Sequence, residues 1–335
     1  MEVAVLFIMV VGLLLIGTPI AIALGLSSIT FLLVLGDTSL ASIAQTFFQA
    51  MAGHYTLLAI PFFILASSFM STGGVARRII RFSIAIVGHF PGGLAIAGVF
   101  ACMLFAALSG SSPATVVAIG SIVIAGMRQV GYSKDFAAGV IANAGTLGIL
   151  IPPSIVMVVY ASATDVSVGR MFLAGVIPGL LAGTMLMLTI YVIAKIKNLP
   201  KGQWLGWSEV IASGMDAIWG LFLIVIILGG IYGVIFTLTE AAAVAAVYAF
   251  FIATFVYRDM GPLATPEGQD NIPLRRKPLA LITAFFHKDT RDTLFEAGKL
   301  TVTLMFIIAN ALILKHVLTD EQIPQKIAST MLSAG

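Results

Sequence analysis

Charge is scarce in this sequence. Its 335 residues hold 18 Lys and Arg, 15 Asp and Glu and four His. Charged residues make up 10% of the chain, against about 25% in a typical soluble domain. That deficit excludes an ordinary water-soluble fold. The net charge of +3 is small, and its Lys and Arg sit in short clusters between apolar runs. They read as topology signals and leave no nucleic-acid-binding surface. Cysteine is nearly absent: Cys102 stands alone, which excludes an internal disulfide and a cysteine-based metal site. It lies on an apolar stretch and reads as a small packing residue. No HExxH, GxSxG or nucleotide-binding loop occurs. After Met1-Glu2-Val3 the chain turns apolar at once, with no basic region and no small-residue cleavage site. No removable signal peptide is read, and the first segment is expected to stay as a membrane anchor.

What the sequence has in quantity is apolar surface: 59% hydrophobic residues and a mean hydropathy of +1.08. This composition predicts an all-α polytopic membrane protein, because a spanning chain must satisfy its own backbone hydrogen bonds. Apolar runs cover 3–35, 39–52, 56–72, 92–127, 134–163, 171–196, 211–236, 239–257 and 294–316. The first carries Gly17-Thr18-Pro19 inside it. The run 39–52 is short for a span.

The run 92–127 is too long for one span and is interrupted by Leu108-Ser-Gly-Ser-Ser-Pro113. The break leaves arms of about 16 and 15 residues, each reaching only ~24 Å at 1.5 Å per residue, short of a ~30 Å hydrocarbon core. Two short helices meeting at a polar turn predict a re-entrant hairpin. Arg77, Arg78 and Arg81 precede it, and Arg128 and Lys134 follow it, so both mouths are expected on the cytoplasmic side. The topology then propagates. The run 134–163 crosses outward and leaves Asp165 and Arg170 outside. The run 171–196 returns to Lys195, Lys197 and Lys201, 211–236 goes out and 239–257 comes back. The loop 258–293, with Arg258, Arg275, Arg276, Lys277, Lys288 and Arg291 and four prolines, is expected in the cytoplasm, and 294–316 exits again. The N-terminus falls outside if 3–35 and 39–52 each cross once.

A second broken element follows the hairpin. In Asn143-Ala-Gly-Thr-Leu-Gly-Ile-Leu-Ile-Pro-Pro-Ser-Ile155, Gly145 and Gly148 are expected to loosen the helix. Pro152 and Pro153 donate no backbone hydrogen bonds, and Pro153 disfavours helical geometry at Pro152. Carbonyls near 145–149 lose helical partners, so this backbone must be buried in protein or line a cavity. Freed carbonyls and hydroxyls are hard oxygen ligands. Ser109, Ser111 and Ser112 at the hairpin tip and Gly145, Thr146 and Gly148 in the broken helix can supply them. Neither motif holds a carboxylate, which disfavours a divalent ion and suits Na+. The helix beginning near Pro113 points backbone N–H groups at the same place, so an anionic substrate can share the site. Ser112, Pro113 and Thr146 are the candidates to touch it. The same small residues would also serve close helix packing.

Other polar residues have simpler readings. His54, His89 and His287 read as surface, interfacial and loop residues. Lys315 and His316 end a span, where the lysine snorkels. Glu240 follows Thr237-Leu-Thr and reads as a helix cap. Trp204, Trp207 and Trp219 suit an interfacial belt. The pieces FILASSF (63–69) and FIIANAL (306–312) match in pattern. A looser match joins Val75-Ala-Arg-Arg-Ile79 to Pro324-Gln-Lys-Ile-Ala328. Running in opposite directions on the topology above, they suggest an inverted repeat. The second copy stops about where its own hairpin would begin, so a partial chain is expected.

The hairpin FAALSGSSPATVVAIG, the segment GTLGILIPPSI and the opening GTPIAIALG resemble the large membrane subunit of tripartite ATP-independent periplasmic (TRAP) transporters, most nearly the sialic-acid branch. The resemblance runs through the whole chain. It implies a Na+-coupled importer of organic acids in the bacterial inner membrane, with a soluble periplasmic protein delivering substrate and a small four-helix membrane subunit alongside. That subunit is expected as a separate chain, since no four-helix unit precedes residue 1. The resemblance further implies an inverted-repeat elevator, with its second repeat truncated here. Residues 1–72 would be scaffold helices and 73–170 the first transport unit. Residues 171–257 would be scaffold and connecting helices, 258–293 a cytoplasmic connector and 294–335 the start of the second repeat. Carried over by motif, a Na+ site falls on Ser109, Ser111, Gly145, Gly148 and Pro152. A second hairpin and a second Pro-Pro break do not occur, so a second Na+ site has no residues here. Two other classes compete. A proton-coupled carrier or channel needs a titratable group at membrane depth, for which Glu240 is the one nearby candidate. An intramembrane serine enzyme needs a base beside the hairpin serines, and none is close in sequence.

Overall fold

The computed structural model describes residues 2–34, 39–264, 277–320 and 322–334. Arg275, Arg276, Pro266 and Pro273 of the predicted loop lie outside the described residues. The helices are α1 (Glu2–Leu15), α2 (Ile20–Val34), α3 (Leu40–Ala52), α4 (Ala59–Thr72), α5 (Val75–Val87), α6 (Gly93–Ser109), α7 (Ser112–Gln129), α8 (Lys134–Gly145), α9 (Leu147–Leu150), α10 (Ile155–Thr164), α11 (Val168–Ile196), α12 (Trp207–Ile224), α13 (Gly230–Tyr232), α14 (Leu238–Phe251), α15 (Ala280–Phe286), α16 (Lys288–Asp320) and α17 (Ile323–Ala334). π-Helical turns extend α12 at Val225–Gly229 and α14 at Ile252–Val256. The chain packs as two units, one of residues 1–57 and 299–335, the other of 58–298. Among the described residues five helical stretches are long and apolar enough to cross a membrane, and the pair 134–150 and 155–164, bent by 41°, is a sixth if it forms one span.

In the first unit the run 3–35 is two helices, α1 and α2, parted at the Gly17-Thr18-Pro19 that the sequence places inside it. The reason is local. Gly17 takes φ +89°, Gly17 N–H and Thr18 N–H close α1 onto Leu14 O and Leu13 O, and Pro19 has no N–H to continue the ladder. Leu6, Phe31, Leu32, Ile43, Ile313 and Val317 form the apolar core of this unit. The FIIANAL segment lies on α16. There Asn310 is buried and donates through Nδ2 to Phe306 O at 2.7 Å. Gly25 of α2 sits directly under it: a Cβ on Gly25 would lie 2.0 Å from Asn310 Oδ1.

In the second unit the FILASSF segment lies on α4, which packs along α14. Small residues allow that close fit: Ala66 and Ser67 on α4 and Ala242, Ala245, Ala246 and Ala249 on α14 are all buried. α14 starts at the expected cap. Thr237 Oγ1 accepts from Glu240 N–H, and the Glu240 carboxylate accepts from Thr237 N–H and Oγ1 at 2.8 Å. α5 is amphipathic and carries the basic cluster on its polar side. Arg78 pairs with Asp216 at 3.2 Å and with Asp259, and stacks over Tyr257 at 3.9 Å. Arg81 makes a two-pronged pair with Glu209 at 2.7 and 3.1 Å. These contacts fasten α5 to α12 and to the end of α14. The Tyr257 hydroxyl donates to Asp216 O and accepts from Gly220 N–H, both at 2.9 Å.

The hairpin is present as α6 and α7. Its arms are 17 and 18 residues, one and three longer than the sequence estimate, and at 1.5 Å per residue they reach ~25 and ~27 Å. The predicted polar loop is shorter than expected: α15 fills 280–286, and α16 begins at Lys288 within it.

Candidate functional site

The hairpin turn is built by Ser109, Gly110 and Ser111. Gly110 adopts φ +61° as the C-cap of α6, a conformation that L side chains reach only with strain. Thr115, the first buried residue of α7, holds the turn from inside. Its hydroxyl donates to Ser111 O at 2.9 Å and shares a 2.9 Å hydrogen bond with Ser109 Oγ. Ser111 N–H also donates to Ser109 Oγ at 3.3 Å.

The broken helix meets this turn. Helix α8 runs to Gly145, and after one residue, Thr146, α9 carries the same direction to Leu150. The chain leaves helical geometry at Ile151, and α10 starts at Ile155. So the break falls at the prolines, and Gly145 and Gly148, expected to loosen the helix, lie in or beside helical turns. Their role is approach. A Cβ on Gly148 would lie 3.0 Å from Ser112 N, and one on Gly145 would lie 2.1 Å from Val116 Cγ2. Each glycine lets the start of α7 settle on the α8–α9 backbone.

Three contacts tie turn to break. Ser112 Oγ donates to Gly145 O at 2.7 Å. Ile155 N–H donates to Gly110 O at 3.0 Å. A Cβ on Gly110 would lie 2.7 Å from Pro153 O. Behind the break, α11 presses a glycine stripe onto it: Gly175 against Leu150 O and Met157, Gly179 against Ile151, Gly183 against Met103. This four-residue spacing permits close backbone approach. It stands in the sequence as a readable signal, though the polar motifs alone were singled out there.

The donors divide accordingly. Gly148 O and Ile149 O lose their helical partners, since residues 152 and 153 are prolines. Ser111 O already accepts from Thr115 N–H and Oγ1, so Ser111 offers its hydroxyl. Ser109, Gly145, Gly148 and Pro152 are buried beside the turn. Thr146 is exposed, and its hydroxyl donates to Asn143 O at 2.7 Å. Pro113 is exposed at the second position of α7. Ser154, which the sequence reading passed over, is fully buried, and its Oγ has no hydrogen-bond partner. Ser109, Ser111, Ser112, Gly145 and Gly148, named from the sequence, lie together in the structure, with Thr115 and Gly110 among them. Beside α7 lies a cavity of about 450 Å³ lined by Ser71, Thr72, Arg77, Ala114, Val117 and Ser121 among others. Arg77 pairs across 3.6 Å with Asp259.

A helical hairpin docked on a proline-broken helix is an architecture of carriers. The sequence matches the family described as the DctM component of tripartite ATP-independent periplasmic transporters over residues 7–335. The chain belongs to this family. It is 71% identical over 335 residues to the C4-dicarboxylate TRAP transporter large permease protein DctM of Vibrio cholerae, covering 100% of this chain and 73% of that protein. A protein of the same description from Pseudomonas aeruginosa is 56% identical over 93% of this chain and 67% of its own length. The 2,3-diketo-L-gulonate TRAP transporter large permease protein YiaN of Escherichia coli is 36% identical over 94% of this chain and 68% of its own. All three are named permeases and none an enzyme. The chain is therefore a TRAP large-permease component, a multi-pass protein of the bacterial inner membrane.

Proposed function

We propose that this chain is the moving subunit of a Na+-coupled importer of C4-dicarboxylates. The observation that carries the substrate class is the 71% identity, spanning the whole chain, to a permease named for C4-dicarboxylates. None of the three relatives above is named for sialic acid, toward which the motif resemblance leaned, so the dicarboxylate reading replaces it. The cavity beside α7 suits an anion, with Arg77 and hydroxyls among its lining residues. A soluble periplasmic binding protein would hand the substrate over, and a small membrane subunit would sit alongside.

Na+ coupling is supported by donor chemistry. The freed carbonyls of Gly148 and Ile149, the hydroxyls of Ser109 and Ser111 and the neighbouring Gly145 and Pro152 backbone form a neutral, oxygen-only set. Such a set suits a monovalent hard cation better than a divalent one, which recruits carboxylates. The α7 N-terminus, with Ser112 and Pro113 at its start and Thr146 nearby, is placed to attract the substrate carboxylate once the cation is bound. Cation and anion would then stabilise each other, which is the thermodynamic content of symport. The hairpin, broken helix and α11 would carry them across as one body.

The test is uptake into proteoliposomes containing the complete transporter, with the loaded binding protein outside. Succinate uptake should follow an imposed Na+ gradient and exceed sialic acid uptake. Sialic acid preferred over succinate would refute the substrate class. Succinate uptake that ignores Na+ and follows pH would replace the coupling ion by a proton.

A further inference from the structure

Residues 93–196 form one continuous stretch holding the hairpin, the broken helix and α11. The chain enters this stretch from α5 through 88–92 and leaves it toward α12 through 197–206. The entry and the exit are stitched to each other. Pro91 and Lys201 form an antiparallel bridge. Gly92 N–H donates to Pro200 O, and Gly202 N–H donates to Gly88 O, both at 3.1 Å. Tyr132, just past α7, adds a bond from its hydroxyl to Pro200 O at 3.2 Å. Proline suits position 91, where no N–H is needed.

The residues around this stitch are small because the backbones nearly touch. A Cβ on Gly202 would lie 2.6 Å from Gly88 O, one on Gly93 would lie 2.0 Å from the same oxygen, and one on Gly92 would lie 2.7 Å from Ala194 Cβ. Beyond the stitch the last tie is Trp204, whose ring packs edge-on against His89 of the entry segment at 4.9 Å and against Trp207 of α12 at 5.6 Å. Gly206, the N-cap of α12, has φ +87° and ψ 163°, a region that only glycine enters freely, and a Cβ there would meet nothing within 4 Å. A small apolar cavity of about 190 Å³, lined by Ile84, Leu94, Val130 and Tyr132 together with the stitch residues, leaves space behind the joint.

We infer that the 91–201 bridge fastens both chain crossings of the 93–196 body into a single joint. The connector 197–204 travels with the hairpin, Trp204 staying on His89, and bending on the exit side takes place at 205–206, where the Trp204–Trp207 contact gives way. α5 and α12 are themselves tied together by Arg78 with Asp216 and by Arg81 with Glu209, so the body would swing against a paired base. This deepens the moving-subunit reading above and depends on it.

Two measurements on the complete transporter in proteoliposomes test the joint. The first is Pro91→Cys with Lys201→Cys; native Cys102 is fully buried and gives little background. Disulfide formation is verified by loss of maleimide labelling, and oxidised protein should take up succinate at a rate within two-fold of the reduced protein. Uptake that stops on oxidation and returns on reduction overturns the joint. The second is distance measurement between spin labels on exposed positions, Ala125→Cys with Lys197→Cys and Ala125→Cys with Ile211→Cys, with and without Na+ and succinate. The 125–197 distance should hold while the 125–211 distance shifts. If 125–197 shifts as well, the joint is wrong and the moving hairpin stands. If neither shifts while uptake proceeds, the moving-body reading fails and the joint with it.

Discussion

Replacing Gly110 by alanine should cripple Na+ use while leaving the fold standing. The residue holds φ +61°, which costs a side-chain-bearing residue about 1–2 kcal/mol. Its new Cβ would fall 2.7 Å from Pro153 O, inside contact distance, so turn and break must part by several tenths of an ångström. That movement strains the 3.0 Å bond from Ile155 N–H to Gly110 O, a further loss of about 1 kcal/mol. The total of roughly 2–3 kcal/mol acts on a single equilibrium, turn docked against turn parted. At 1.4 kcal/mol per decade this shifts the equilibrium by about 30- to 150-fold. If only the docked form gathers the oxygen donors, the apparent Na+ affinity falls in proportion once the docked form ceases to dominate. The assay is succinate uptake against Na+ concentration in proteoliposomes, with thermal melting of the purified transporter alongside. A weakening of Na+ activation by at least about tenfold is expected. Gly139→Ala on α8, where a Cβ meets nothing within 4 Å, is the control and should behave as wild type. A Gly110→Ala transporter with an unchanged Na+ activation curve would show that the docked turn has no part in ion binding.

Ser112→Ala removes the 2.7 Å bond to Gly145 O, worth about 1 kcal/mol; the KM for succinate should rise several-fold with little change in melting temperature. Gly25→Ala drives a methyl group into Asn310 and should destabilise the protein by about 1–3 kcal/mol, and Asn310→Ala in the same chain should restore part of the loss, read as melting temperature. Arg78→Ala strips two carboxylates of a partner at a site where the side chains of Arg78 and Asp259 are only 18% and 16% exposed. It should cost about 3 kcal/mol, whereas Arg81→Ala, at 50% exposure, should cost under about 1 kcal/mol. A cysteine at Asp165 should react with a membrane-impermeant maleimide added from the periplasmic side, and labelling from the cytoplasm alone would reverse the topology.

The polar interruptions were legible because they violate a strong rule. Backbone breaks inside an apolar run are costly, so Ser109–Pro113 and Pro152-Pro153 stood out against the residues around them. Their meeting was inferred from chemistry, and the Ser112–Gly145 contact bears out that they meet. What stayed hidden were the features whose meaning depends on a distant neighbour. Gly145 and Gly148 read as helix looseners, because glycine is a poor helix former, and only the packed structure shows α7 lying on them. Thr115 was not singled out in the sequence; its role lies in a hydroxyl that bridges Ser109 and Ser111. In the run 3–35 the Gly17-Thr18-Pro19 interruption was visible, but a lone Gly-Thr-Pro does not by itself tell a kinked helix from two separate ones. The start of α16 at Lys288 was missed because charged residues there mimic a loop, while their helical propensity lets the helix extend out of the apolar region.

The placement of glycine explains how the turn and the break are held together. Rigidity is needed where the donors converge, and there the glycines permit contact: at 110, 145 and 148, and along 175, 179 and 183, each admits a neighbour that a methyl group would displace. Ser154 Oγ, buried without a partner at the start of α10, is the one loose polar group in that packed region. A buried hydroxyl without a bond costs about 1–3 kcal/mol, so a bound species that accepts it or is coordinated by it would recover that energy. Ser154→Ala relieves the cost in the ion-free form and removes the recovery in the ion-bound form. Its signature is therefore opposite in sign for two measurements: melting temperature without Na+ should rise or hold, while stabilisation by Na+ should shrink. If Na+ stabilises the alanine variant as fully as the parent, Ser154 takes no part in the ion site and its hydroxyl is simply an unmet packing cost.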